Sequence, residues 1–271
     1  MRTLHVGCEF DYDVAVDTPA VVIVQPSLDA GATLLSEQWQ LAPDVKHHGY
    51  LDAYGNRCER MTLPPGDTVL RYDATVVVPD ATEPADPGAR ELPVADLPDE
   101  TLVYTLPSRF VLSDVLSDEA WSRFGSLAPG YGRVQAICDF VNGHLRFSYG
   151  TSTPTTTSAD VFGAGVGVCR DFTHLGITFC RALNIPARYV FGYLPDIDVT
   201  HEGAPPPMDF AAWMEVFLDG SWWTFDPRNN VRRKGRVVIG RGRDAADVAM
   251  VTTYGGPVLR RMDVFAEDAP G

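Results

Sequence analysis

The chain has no run approaching the roughly 18 apolar residues of a membrane-spanning helix, and residues 1–11 hold no apolar core of signal-peptide length. Both absences lead us to expect a cytoplasmic protein. Basic residues are outnumbered, with 22 Lys and Arg against 36 Asp and Glu and a formal net charge of -14. Nucleic acid and anionic membrane are polyanions, so this balance argues against both as partners. The acid excess reads as solubility. Cysteine is sparse as well: Cys8, Cys58, Cys138, Cys169 and Cys180, with no Cys-x-x-Cys pair. An odd, scattered set fits free thiols in a reducing compartment better than a disulfide framework. His47 and His48 lack a spaced cysteine pair for zinc, and no Asp-x-Asp-x-Asp-Gly calcium loop occurs. Neither metal nor cofactor is expected, and no internal repeat is visible.

Hydrophobic residues make up 45% of the 271 positions, which is enough for a real core in one large domain or two ordinary ones. Residues 4–12 alternate roughly in period two. Residues 20–26 form a β-branched run closed by Pro26, and residues 69–78 form another strand. Turn chemistry separates them, so a small antiparallel β-sandwich is expected over residues 1–100. From residue 79 the composition turns to Pro, Asp, Glu and Gly, which reads as an exposed linker with solvated acids. Residues 101–271 are expected to form an α+β core. Within them Val134, Ile137, Cys138 and Val141 fall on one helical face, which makes Cys138 a core residue. A second helix is expected to begin at Cys169, with Phe172, Leu175, Phe179 and Leu183 at helical spacing and a stop at Asn184-Ile185-Pro186. Strands follow over residues 187–193, 213–218 and 221–225, the last two joined by Asp219-Gly220, a strong hairpin signal.

The chemistry concentrates around Cys169. A thiol with an unperturbed pKa of about 8.5 is mostly protonated at neutral pH, and a helix N-terminus favours the thiolate. The same N–H groups offer a site for a developing oxyanion. By itself, a cysteine at this address is more readily a buried structural thiol. The hairpin adds context. Pairing Leu218 with Ser221 places position 213 opposite 226 and position 211 about one pair beyond. A base at 211 oriented by Asp226 would complete nucleophile, base and acid. Position 211, however, is alanine. His174 lies on the Cys169 helix but points about 140° away at 100° per residue. His144 reads as structural, His47 and His48 belong to the β half, and His201 lies ten positions before 211 in a Pro-rich stretch.

The runs Gly167-Val168-Cys169-Arg170-Asp171-Phe172, residues 185–193, Ala211-Ala212-Trp213-Met214-Glu215 and Trp223-Thr224-Phe225-Asp226-Pro227 resemble the transglutaminase-like superfamily in its bacterial form. The β half resembles the small domain that precedes the core in that subgroup, and so do residues 241–249 and 252–255. The resemblance implies a papain-like core in which Cys169 attacks an amide or ester carbonyl to give a thioester, later resolved by an amine or water. It implies that Asp226 orients a histidine, and that this histidine would stand where Ala211 does. The partner would be a peptide, a protein or a small-molecule amide or thioester. Tyr149, Tyr193 and Trp213 are candidates for a substrate groove; for Trp213 and one of Trp222 and Trp223, core is the simpler reading. Three readings of Ala211 follow: a His-to-Ala variant of a working enzyme; a natural pseudoenzyme that keeps the groove; or an acyltransferase that uses thioester donors without the histidine.

Overall fold

The computed structural model describes residues 1–28, 31–200 and 207–269. Its first half is built of β1 (Arg2–Val14), β2 (Thr18–Val22), β3 (Thr33–Ala42), β4 (His47–Leu51), β5 (Arg57–Leu63) and β6 (Gly66–Val78). Along β1 the even-numbered residues from Leu4 to Val14 are buried, and along β6 those from Thr68 to Val78. That period is what a strand with one covered face requires. The second half contains α1 (Ser117–Phe124), α2 (Tyr131–His144), β7 (Arg146–Phe147), α3 (Ser158–Ala164), β8 (Val166–Gly167) and α4 (Cys169–Ala182). After these come β9 (Ala187–Tyr193), β10 (Ala211–Leu218), β11 (Ser221–Phe225), β12 (Val237–Gly242), β13 (Val251–Thr253) and β14 (Val258–Asp268).

Three four-stranded antiparallel sheets result, with orders β14-β1-β6-β3, β13-β2-β5-β4 and β11-β10-β9-β12. The first two contain the expected β half, but each takes an edge strand from the C-terminal end of the chain. β14 pairs with β1 from Leu4↔Asp268 to Asp13↔Val258, and β13 pairs with β2. Assigning all of residues 101–271 to the core therefore needs amending, because residues 251–268 return to complete the N-terminal sheets. The stretch from residue 79 also departs from an exposed linker with solvated acids. Glu83 pairs with Arg236 and Glu91 with Arg133, and both guanidinium groups are almost wholly covered. Burying those cations requires carboxylates, and this segment supplies them.

The third sheet carries α4. Every residue from Asp171 to Arg181 is buried, with β9 and β10 on one side and the other α-helices around the rest. Asn184 adopts φ 63°, and with Pro186 it ends the helix where the sequence indicated. The hairpin between β10 and β11 has the expected register, from Leu218↔Ser221 to Met214↔Phe225. Asp219 and Gly220 both have positive φ, 49° and 80°, as a type I′ turn demands. The helix sits close to this hairpin because residue 176 is glycine: a Cβ there would stand 2.8 Å from Pro227 Cγ and 3.1 Å from Met214 Sδ. We expect Gly176→Ala to cost about 1–3 kcal/mol by overpacking, read as a lower urea midpoint with an unchanged slope. An unaltered midpoint would show that the contact has slack.

Candidate active site

Cys169 is the first residue of α4, preceded by Val168 in extended conformation. The Asp171 carboxylate accepts the Val168 N–H at 2.8 Å and the Ser152 hydroxyl, so the helix start is capped by its own third residue. Gly167 makes room for that cap, since a Cβ there would come within 2.7 Å of Asp171 Cβ. Cys169 Sγ lies 3.9 Å from the Phe210 carbonyl oxygen. It opens onto a cavity of about 600 Å³, whose walls include Phe147, Tyr149, Asp209, Ala211, Arg228 and Met262. Helix-end activation of the thiol does not prevail. Burial pushes Cys169 up to about 11; Arg228 and the Arg170 N–H pull it down, while Asp209 and Asp171 push it further up. Removing a charge from water outweighs the partial charges of the helix end.

Asp226 follows β11 directly and does not line that cavity. Its Oδ1 accepts the N–H groups of Arg228 at 3.1 Å and Asn229 at 2.9 Å. Its Oδ2 accepts Asn229 Nδ2 at 2.8 Å and Arg236 Nη2 at 2.7 Å. A carboxylate offers about four acceptor positions, and these four bonds fill them. Burial alone would raise its pKa, but Arg236 and Asn229 outweigh it and hold the group below the usual carboxylate range. Arg236 also lies over the Trp213 ring, 4.7 Å from its centroid. Cys169 and position 211 therefore meet at one cavity, while the carboxylate expected to orient a base is committed to an arginine and a turn.

Of the proposed groove residues, Tyr149 lines the cavity and is 60% exposed. Tyr193 and Trp213 do not line it. Tyr193 is fully buried, with its hydroxyl donating to the Val24 carbonyl at 2.9 Å, and Trp213 is buried beneath Arg236. Both strands are covered on both faces, so alternation along them could not indicate which aromatic faces a groove. His174 is buried and stacked on Phe110, and its Nε2 accepts the Ala245 N–H at 3.1 Å. Burial, with Arg170 and Arg181 nearby, holds it well below the usual histidine range. His144 bonds the Phe162 carbonyl and His47 pairs with Glu59. His201 lies outside the described residues. Among the described residues no histidine lines the cavity. Sequence reasoning missed Asp209 and Arg228, although each lies two residues from a position it had singled out. Met250 and Met262 carried no local signal, because the C-terminal strands bring them to the wall.

Residues 122–227 match the family model described as the transglutaminase-like superfamily, and the match spans Cys169, Ala211 and Asp226. That segment is similar to a transglutaminase-like domain. The chain is 26% identical over 255 residues to an uncharacterized protein of Mycobacterium leprae, covering 89% of this chain and 88% of that one. An uncharacterized protein of Mycobacterium tuberculosis strain H37Rv is 36% identical over 143 residues, covering 45% of this chain and 42% of that protein. The crystal structure of a candidate cysteine protease from Cytophaga hutchinsonii superposes with a TM-score of 0.90 at 29% identity, over 100% of this chain and 91% of that one. The matched segment and the superposition thus show a transglutaminase-like fold around Cys169, similar to that of a candidate cysteine protease. Arg228 and the C-terminal part of the cavity wall lie beyond the matched segment.

A thiol raised to about 11 makes a clear kinetic prediction. Alkylation of Cys169 by iodoacetamide should rise about tenfold per pH unit between pH 7 and 9.5, following the thiolate fraction. Peptide mapping after timed quenching measures it. A rate that levels off below pH 8 would reveal a paired thiolate and contradict the buried, neutral thiol.

Proposed function

We propose that the cavity is a cysteine acyl-transfer site in which Cys169 receives an acyl group as a thioester, and that this chain is impaired towards amides and peptide bonds. The observation that carries this is the composition of one wall: Cys169 and Ala211 share it, and no group at 211 can move a proton. An amine leaving from an amide must be protonated as the bond breaks, whereas a thiolate leaving from a thioester need not be. Activated acyl donors are thus the class this site can still use. The bond formed is Cys169 S–C(=O), the bond broken is the donor's C–S, and the thiol proton ends on the departing sulfur.

The state of Asp226 weighs against the simplest account of Ala211, a triad disabled by one replacement. A histidine at 211 would find the carboxylate already bonded to Arg236, Arg228 and Asn229. The raised thiol favours a second reading, a binding protein that retains the cavity without turnover. Incubation with an N-acetylcysteamine thioester at pH 9, followed by intact-mass and peptide mapping, separates the two. We expect one acyl adduct, on Cys169, absent in Cys169→Ala. Ala211→His should raise amide hydrolysis by less than about tenfold, short of the 10²–10⁴ typical of general acid–base catalysis. Lack of an adduct on Cys169 would sink the acyl-transfer reading, and full amide hydrolysis by Ala211→His would restore the disabled-triad account.

A further inference from the structure

Among the described residues, three charged side chains stand in the cavity wall: Arg170, Asp209 and Arg228. Arg170 is already engaged, by the Asp171 carboxylate at 3.3 Å and the Thr153 carbonyl at 2.9 Å. Arg228 is placed but not satisfied. Its backbone N–H is held by Asp226, its carbonyl accepts Asn142 Nδ2 at 2.7 Å, and its guanidinium stacks over the Phe147 ring at 4.0 Å. Among the described residues the guanidinium has neither a carboxylate nor a carbonyl partner. Asp209 uses one oxygen to accept the Phe210 N–H at 2.7 Å, and among the described residues it forms no salt bridge. A smaller cavity of about 170 Å³ shares Tyr149, Asp209, Ala211 and Arg228 with the larger one. Where the two cavities meet, the side chain at 211 is only a methyl.

Opposite charges that share a cavity without closing on each other form a template for a ligand that carries both. The geometry points to a small zwitterion, an apolar α-amino acid, with its carboxylate on Arg228, its ammonium on the open oxygen of Asp209 and its side chain against Phe147, Phe210 and Met262. Each half of the ligand neutralises one wall charge, which a low-dielectric site rewards. A dianion such as phosphate would face Asp209. A plain amine would leave Arg228 unpaired. The ammonium also lies near the nucleophile, because Cys169 Sγ is 3.9 Å from the carbonyl of Phe210, the residue after Asp209.

This deepens the acyl-transfer reading and rests on it for one step, in which the amino acid is the acceptor. Asp209 takes one proton from the ammonium, and the freed nitrogen attacks the thioester carbonyl. A C–N bond forms, the C–S bond breaks, and Cys169 leaves with the nitrogen's second surplus proton. The products are an N-acyl amino acid and the free thiol.

Calorimetric titration of the full chain with L-leucine, N-acetyl-L-leucine and L-leucinamide tests the template. N-acetyl-L-leucine lacks the ammonium and L-leucinamide lacks the carboxylate. We expect leucine to bind at least about tenfold more tightly than either, each charge-assisted contact supporting that much. Arg228→Gln should weaken leucine by a similar factor while leaving leucinamide nearly unchanged, and Asp209→Asn should likewise weaken leucine while leaving N-acetyl-leucine nearly unchanged. Cys169→Ala should bind leucine as the parent does. If leucine fails to bind, or N-acetyl-leucine binds equally well, the zwitterion site is overturned, even where Cys169 still takes an acyl adduct. Leucine binding without any adduct leaves the site standing and removes the acyl-transfer reading.

Discussion

The contact of Gly176 with Pro227 and Met214 sets the geometry on which the site depends. Helix α4 has no free face, so its position is determined wholly by its neighbours. On the sheet side, that position rests on how closely the turn after β11 can approach the helix. Cys169 begins the helix one way along its axis, and Arg228 follows the turn by a single residue beyond Pro227. Small displacements at Gly176 would therefore alter the distance between the nucleophile and the cation that faces it. Well-packed interiors transmit such shifts with little loss. Asp226 adds a second tie, since its carboxylate bonds the turn's own N–H groups and, through Arg236, reaches Glu83 in the segment between the two halves.

The buried charges follow a common logic. Arg236 sits between Asp226 and Glu83 with its face on Trp213. Glu215, on β10, takes both Arg188 and Arg241. Arg181 is satisfied by the carbonyls of Ala187, Leu106 and Arg243. A buried ion that loses its partner costs several kcal/mol, so each set fixes the relative placement of the strands that contribute to it. Arg228 breaks the pattern. It is held by backbone and by an aromatic ring, and it lines the cavity with no salt-bridge partner among the described residues.

What could be read from the chain divides along the range of the interactions. The hairpin register was legible because Asp219-Gly220 fixes it locally, and the end of α4 because Asn184 and Pro186 do. The start of α4 at Cys169 was legible from spacing. The pairing of β14 with β1 was not, since it joins residues more than 240 positions apart and no local feature of either strand names the other. Tyr193 and Trp213 stand as groove candidates, with core the simpler reading for Trp213, because an aromatic on a doubly buried strand carries no sign of its direction. The state of Cys169 depended on a competition. The helix end was visible in sequence, but the desolvation that overrides it comes from burial, which only the fold assembles.

The persistence of an acid at 226 beside an alanine at 211 has a physical account once Arg228 is considered. In a triad, the acid earns its place by holding the base. Here the same carboxylate binds the N–H of Arg228 and the side chain of Asn229, so it shapes the turn that presents Arg228 to the cavity. Replacing the acid would disturb that presentation even though no histidine is there to lose. Alanine at 211 lines both cavities together with Arg228 and Asp209, and it adds only a methyl group to their walls. Acid and alanine then belong to one arrangement, in which a cation is aimed and room is left in front of it beside the Cys169 thiol.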